Sequence, residues 1–332
     1  MKTRVATGIF LVLTVLAMAG LFPAASQTGQ NAAGSLQPPP SNPLKVALLK
    51  WYQINLVPTT FSVGQQPNSI AFDGANIWVA NYADNTVSKL RANDGTALGT
   101  FKVGFFPAGV TFDGANVWVS NNGDETLTKL RASDGSTLGT FTVGPNPFWT
   151  AFDGANIWVP TAPSSGNGSV VKVRASDGKI VGAFTVGRAP VAAACDGVNI
   201  WITNQGDNTV TKLRARDGAV LGTFSVGLQP LGIAFDGANI WVANGNDNFV
   251  TKLRASDGSV LGNFSVRTGP YGLAFDGANI WVSGSPSFTE LRASDGAMLG
   301  TWNPPGTNTS GIAFDGANMW LAGLNNATVM KL

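Results

Sequence analysis

The chain has 332 residues, with 21 Lys plus Arg against 19 Asp plus Glu, one cysteine and no histidine. A formal charge of +2 gives no long-range field to steer nucleic acid or an anionic membrane, and a lone cysteine excludes an intrachain disulfide. The absence of histidine removes the side chain most used for proton transfer near neutral pH and the commonest metal ligand.

Residues 1–26 carry Lys2 and Arg4, then an apolar run, then Pro23-Ala24-Ala25-Ser26, the pattern of a cleaved secretory signal peptide. Removing Lys2 and Arg4 with that leader leaves 19 basic against 19 acidic residues. The expected destination is secreted, periplasmic or cell-surface, with no stable membrane insertion after cleavage. Residues 27–53 begin rich in Gln, Asn, Ser, Gly and Pro and read as a flexible linker, followed by an amphiphilic N-terminal extension.

From residue 54 onward the chain is one module repeated in tandem. The phrase Phe72-Asp73-Gly74-Ala75-Asn76-Ile77-Trp78 returns with small changes, its Asp at 73, 113, 153, 196, 236, 276 and 315, in steps of 40, 40, 43, 40, 40 and 39 residues. In the unit starting at Pro230, turn residues separate four β segments, predicted at 232–235, 240–243, 249–254 and 260–266. Asp236-Gly237 and Asp257-Gly258 are predicted tight turns in which glycine takes a positive φ. Four antiparallel strands at about 40 to 45 residues per repeat is the spacing of a propeller blade.

The last unit supplies three strands and reaches Leu332, while an orphan fourth-type strand around Phe61 precedes the first full unit. Phe61 matches Phe101, Phe141, Phe184, Phe224, Phe264 and Trp302. The expected fold is therefore all-β: a seven-bladed propeller over 54–332, closed by the N-terminal strand completing the last blade, which removes the open edges.

Trp201-Ile202-Thr203-Asn204 and Trp241-Val242-Ala243-Asn244 stand where the YVTN-type 40-residue repeat has its Tyr-Val-Thr-Asn. The units resemble that group of bacterial secreted propellers, which grades into the virginiamycin B lyase-like and NHL-like propellers. The resemblance implies the fold, and its members include enzymes and binding proteins. Streptogramin lyases of this fold rely on His, Glu and a divalent metal, and that mechanism cannot be carried onto a chain without His.

Of the 19 acids, seven are first-turn Asp, six are second-turn Asp, and Asp84, Asp124, Asp207 and Asp247 share one loop position. These are expected to bond backbone N–H groups and shape turns, leaving only Glu125 and Glu290 outside the pattern and without an evident partner. The third-strand bases, such as Lys129 and Arg131, read as solvated or paired charge, and the repeat tryptophans as packing between blades. Cys195 stands at a repeat phenylalanine position and reads as a small hydrophobe rather than a nucleophile. No catalytic residue, metal site or cofactor is expected.

The two Asp-Gly turns repeat almost letter for letter, whereas the loops on the opposite face diverge. There Tyr82, Phe105, Phe106, Phe148, Trp149, Arg188, Arg267 and Tyr271 break the pattern, and they form the candidate ligand-binding set. The alternative is that these aromatics plug the channel mouth and bind nothing. The leading reading is a secreted, monomeric, non-enzymatic binding or surface-display scaffold with a protein or glycan partner. The alternative is a lyase- or lactonase-like enzyme with an unrecognised site.

Overall fold

The structure, a computed structural model, describes residues 58–267, 269–303 and 308–332. The expected signal peptide, linker and extension lie outside them. Every element among the described residues is a β-strand, and the strands form seven four-stranded antiparallel sheets. In the fifth blade the strands are Pro230–Phe235, Asn239–Asn244, Phe249–Arg254 and Val260–Ser265, within a few residues of the sequence expectation. Gly237 and Gly258 take φ of 95° and 78°, as the turns require.

The ring closes as the sequence implies. The outer strand of blade 7 is Thr59–Ser62, paired antiparallel with Thr328–Lys331 in the register Thr59↔Lys331 and Phe61↔Val329. Phe61 packs into the cluster that joins Trp320 and Val329 of blade 7 to Ile70, Ile77 and Leu90 of blade 1. The first and last described strands thus share one sheet, and blade 7 reaches the same four strands as the other six.

Three contacts repeat at the seams between blades. The seven tryptophans of the second strands are at most 4 % exposed and pack against the next blade, as Trp78 does against Val110, Val117 and Leu130. In six of the seven blades the fourth-strand aromatic lies over the second-turn glycine of the next; blade 7 has no second turn to receive Trp302 of blade 6. A Cβ on Gly95 would fall 2.0 Å from Phe61, and one on Gly135 2.1 Å from Phe101, so only glycine fits there.

The third contact corrects the sequence reading of the lysines. Lys89, Lys129, Lys172, Lys212 and Lys252 are 6–8 % exposed, not solvated. Each ammonium, and that of Lys331, sits 4.9–5.4 Å from the ring centre of its own blade's tryptophan. Each also donates at 2.6–2.7 Å to an alanine carbonyl of the following blade. A buried ammonium is tolerable here because carbonyl oxygens and an indole face replace its water. The neighbouring arginines behave as expected: Arg131 and Arg254 are exposed and pair with Asp134 and Asp257.

Blade 6 breaks the lysine pattern. Glu290 faces Trp281 where the other blades place lysine. It is 5 % exposed and accepts a 2.8 Å hydrogen bond from Asn279, so it has a partner that the sequence did not reveal. Burial, with Asp276 nearby, raises its carboxyl to about 7.

Candidate functional site

The carboxylates of the Asp-Gly face are taken up in structure. In all seven first turns the Asp Oδ1 accepts the backbone N–H two and three residues on, as Asp236 does from Ala238 at 2.9 Å and Asn239 at 2.6 Å. Its Oδ2 accepts the tryptophan indole N–H five residues on, at 2.7–2.8 Å in every blade. In five of these turns burial pushes the carboxyl up and is the largest single influence on it. The indole and amide donors together outweigh it and hold Asp113, Asp153, Asp196, Asp236 and Asp315 below the usual range. In the second turns a backbone N–H two residues on leads the lowering, and Asp134 and Asp257 fall to about 2. The indole bond is what sequence reasoning missed, although the spacing Asp-x-x-Asn-x-Trp carries it.

On the other face Asp84, Asp124, Asp207 and Asp247 accept the backbone N–H of Gln65, Phe105, Arg188 and Leu228, fixing the loops that lead into the first strands. Cys195 is half-buried against Trp158, Ile200 and Phe184, and burial raises its thiol, which disfavours the reactive thiolate. Among the described residues no group of three or more His, Cys, Asp or Glu could hold a metal ion.

The first strands line a central channel of about 170 Å³ to which every blade contributes, with no carboxylate in its wall. Trp149 intrudes into it. The first strand of blade 3 is cut to Ala151–Phe152, and Trp149 leaves its own sheet to pair with blade 4. Its amide donates to Val191 O at 3.0 Å, and its carbonyl accepts from Ala193 N at 3.0 Å. Its indole N–H donates to Ala108 O of blade 2 at 3.0 Å, and its ring meets Tyr271 of blade 6 edge-on at 5.0 Å. Blades 3 and 6 are not neighbours, so this contact spans the channel. Neighbouring strands make room: a Cβ on Gly232 or Gly272 would lie 2.4 Å from Tyr271 O or 2.8 Å from Ser310 O.

Outside that aromatic crossing lies a second cavity of about 420 Å³, open on the divergent face and drawing on blades 2 to 6. Phe148, Leu231 and Tyr271 give it apolar walls, and Asn122, Asn146, Gln205 and Gln229 give it amides. Burial raises the Tyr271 phenol, with Tyr82 adding to the effect, so its hydroxyl stays protonated. The cavity belongs to loops held in unusual backbone. Asn146, Ala189 and Gln229 take φ of 45°, 47° and 51°, and the equivalent Gln66 and Phe106 take 50° and 53°. These left-handed conformations at non-glycine residues cost of order 1 kcal/mol each and recur around one mouth.

The candidate set from the sequence is therefore divided. Phe148 and Tyr271 line the mouth cavity, and Trp149 lies beneath them in the channel. Tyr82 stacks on Phe106 at 5.0 Å, away from the cavity lining, and Phe105 and Phe106 are 59 % and 45 % exposed. Arg188 is tied to Asp207 at 2.5 Å and to Gly206 O at 2.9 Å, and Arg267 is exposed outside both cavities. The four amides were missed. Their signal is positional: Asn146 and Gln229 precede the first-strand proline, and Asn122 and Gln205 follow the second strand, where other copies place different residues.

No protein-family model matches this sequence, and no curated protein matches it. Among solved structures the chain is similar to hydrazine synthase of Kuenenia stuttgartiensis, with TM-score 0.71, 18% identity, and 80% of this chain and 95% of that chain covered. It is also similar to a catalytically inactive histidine-to-alanine variant of virginiamycin B lyase from Staphylococcus aureus with quinupristin, at TM-score 0.69 and 18% identity over 82% of this chain and 98% of that one. At such identity the likeness establishes the seven-bladed propeller; both of these neighbours are enzymes.

Proposed function

We propose that this chain is a secreted, monomeric YVTN-type propeller that captures a ligand at its divergent face and performs no chemistry on it. The observation that carries the reading is the contrast between the two faces. On one, the turn carboxylates are bound to backbone and indole donors, as in Asp236 and Trp241. On the other, a cavity of ligand size is walled by residues that depart from the repeat. Secretion rests on the leader pattern of residues 1–26. The lyase-like alternative draws on the fold shared with virginiamycin B lyase. Against it, that lyase's inactive variant has lost a histidine, and this chain has none.

The test is a thermal-shift screen of the purified chain against glycans, peptidoglycan fragments, peptides and divalent metals, run beside a turnover assay with cyclic esters. A ligand that raises the melting temperature of the native chain, but not of an Ala162→Trp variant whose cavity is filled from the rim, supports the reading. Ring opening of a cyclic ester, or a stoichiometric metal required for it, would replace it with the enzymatic one.

A further inference from the structure

We infer that the mouth cavity is a saccharide site selective for uncharged sugars, an inference that rests on the binding role proposed above. The wall holds aromatic and aliphatic surface, four side-chain amides, a phenol and no ionised group. An anionic or cationic ligand would lose its hydration there with no opposite charge to replace it. A neutral polyol would not, because amides both donate and accept, as hydroxyls do.

The hydrogen-bonding capacity of the wall is largely unspent. Asn122 and Asn146 donate their Nδ2 groups to Pro147 O and Ala162 O, at 3.4 and 2.8 Å, which orients each side chain and leaves its Oδ1 as an acceptor. The side chains of Gln205 and Gln229 bond no described residue, and neither does the Tyr271 hydroxyl. Fixed acceptors beside free amides suit a ligand rich in O–H donors. Phe148 and Tyr271 add aromatic surface to the lining, and aromatic rings, negative at their centres, suit the weakly positive C–H face of a pyranose.

A peptide is less well served. Peptide capture by strand addition needs unpaired backbone groups. Here the backbone amides of Asn122, Gln205 and Gln229 already donate to Phe106 O, Ala189 O and Asn208 Oδ1. Recognition therefore falls to side chains, and about 420 Å³ is within the range of pockets that enclose small ligands.

The experiment is calorimetric titration of the purified full chain with cellotriose, maltotriose and triacetylchitotriose. Trigalacturonate and a capped neutral hexapeptide run as contrasting probes. The variant is Gln205→Ala with Gln229→Ala; alanine is acceptable at 229 because Ala189 holds the equivalent left-handed position. The expected result is saturable binding of at least one neutral trisaccharide, weakened about tenfold or more by the double variant at unchanged melting temperature, the loss expected for two hydrogen bonds. Absence of binding by all three neutral sugars at roughly 10 mM overturns the inference. Binding that the double variant leaves intact overturns it as well. If trigalacturonate or the hexapeptide binds instead and the double variant weakens it, the sugar assignment falls while the binding role of the mouth stands.

Discussion

Replacing Glu290 with Gln should abolish a pH dependence of stability that the fold otherwise displays near neutrality. Glu290 is 5 % exposed at the seam where six other blades place a lysine, and its carboxyl is raised from 4.5 to about 7. Because the folded state holds the proton more tightly than the unfolded chain, stability is greatest at acid pH and falls as pH rises from about 4.5 to about 7. The difference corresponds to about 3 kcal/mol above pH 7. For a ring of this size that is a melting-temperature difference of roughly 5 to 10 °C. Glutamine keeps the carbonyl that accepts from Asn279 and cannot ionise, so E290Q should lie within about 1 kcal/mol of the native chain near pH 5 and exceed it by the full margin at pH 8. With no histidine in the chain, no other side chain has an ordinary pKa in this window. Thermal melts of both proteins at pH 5, 6, 7 and 8 decide the matter. Parallel profiles for the two would refute the account of Glu290.

Lys212→Met keeps the stem but removes an ammonium bonded to Ala255 O and Ser256 O and stacked on Trp201, and should cost about 2 to 3 kcal/mol by denaturant unfolding. Asp236→Ala orphans the buried Trp241 indole N–H and two turn amides, with an expected loss of about 2 to 4 kcal/mol, whereas Trp241→Phe should lose less than Trp241→Ala in the same assay. Phe61→Ala should destabilise the ring by about 3 to 4 kcal/mol, close to the cost of Phe224→Ala inside it, because the closing strand makes the same seam contact as any other. A much smaller loss for Phe61→Ala would mean the seam is open in solution.

The architecture was legible because repetition turned seven weak signals into one. The Asp-Gly spacing placed the turns, and the unmatched strand around Phe61 announced the partner of Thr328–Lys331. The lysines were misread because period-two reasoning places Lys129 and Arg131 on one face of a strand. In the ring the following blade covers Lys129 while Arg131 lies beyond its edge. Glu290 acquires its meaning only from the buried lysine position it replaces. At the mouth, conspicuous aromatics drew attention in the sequence, and Trp149 proved to be a crossing within the channel. The cavity amides were ordinary in composition and became notable because the ring gathers loops of four blades around one cavity.

Hydrogen exchange of the chain with and without a neutral trisaccharide addresses the central claim most directly, since it reads which face a ligand covers. The account predicts slowed exchange in the mouth segments around residues 122, 146–149, 189–192, 205 and 228–231, and no change in the Asp-Gly turns. Protection centred on those turns, or none in the mouth segments, would contradict it.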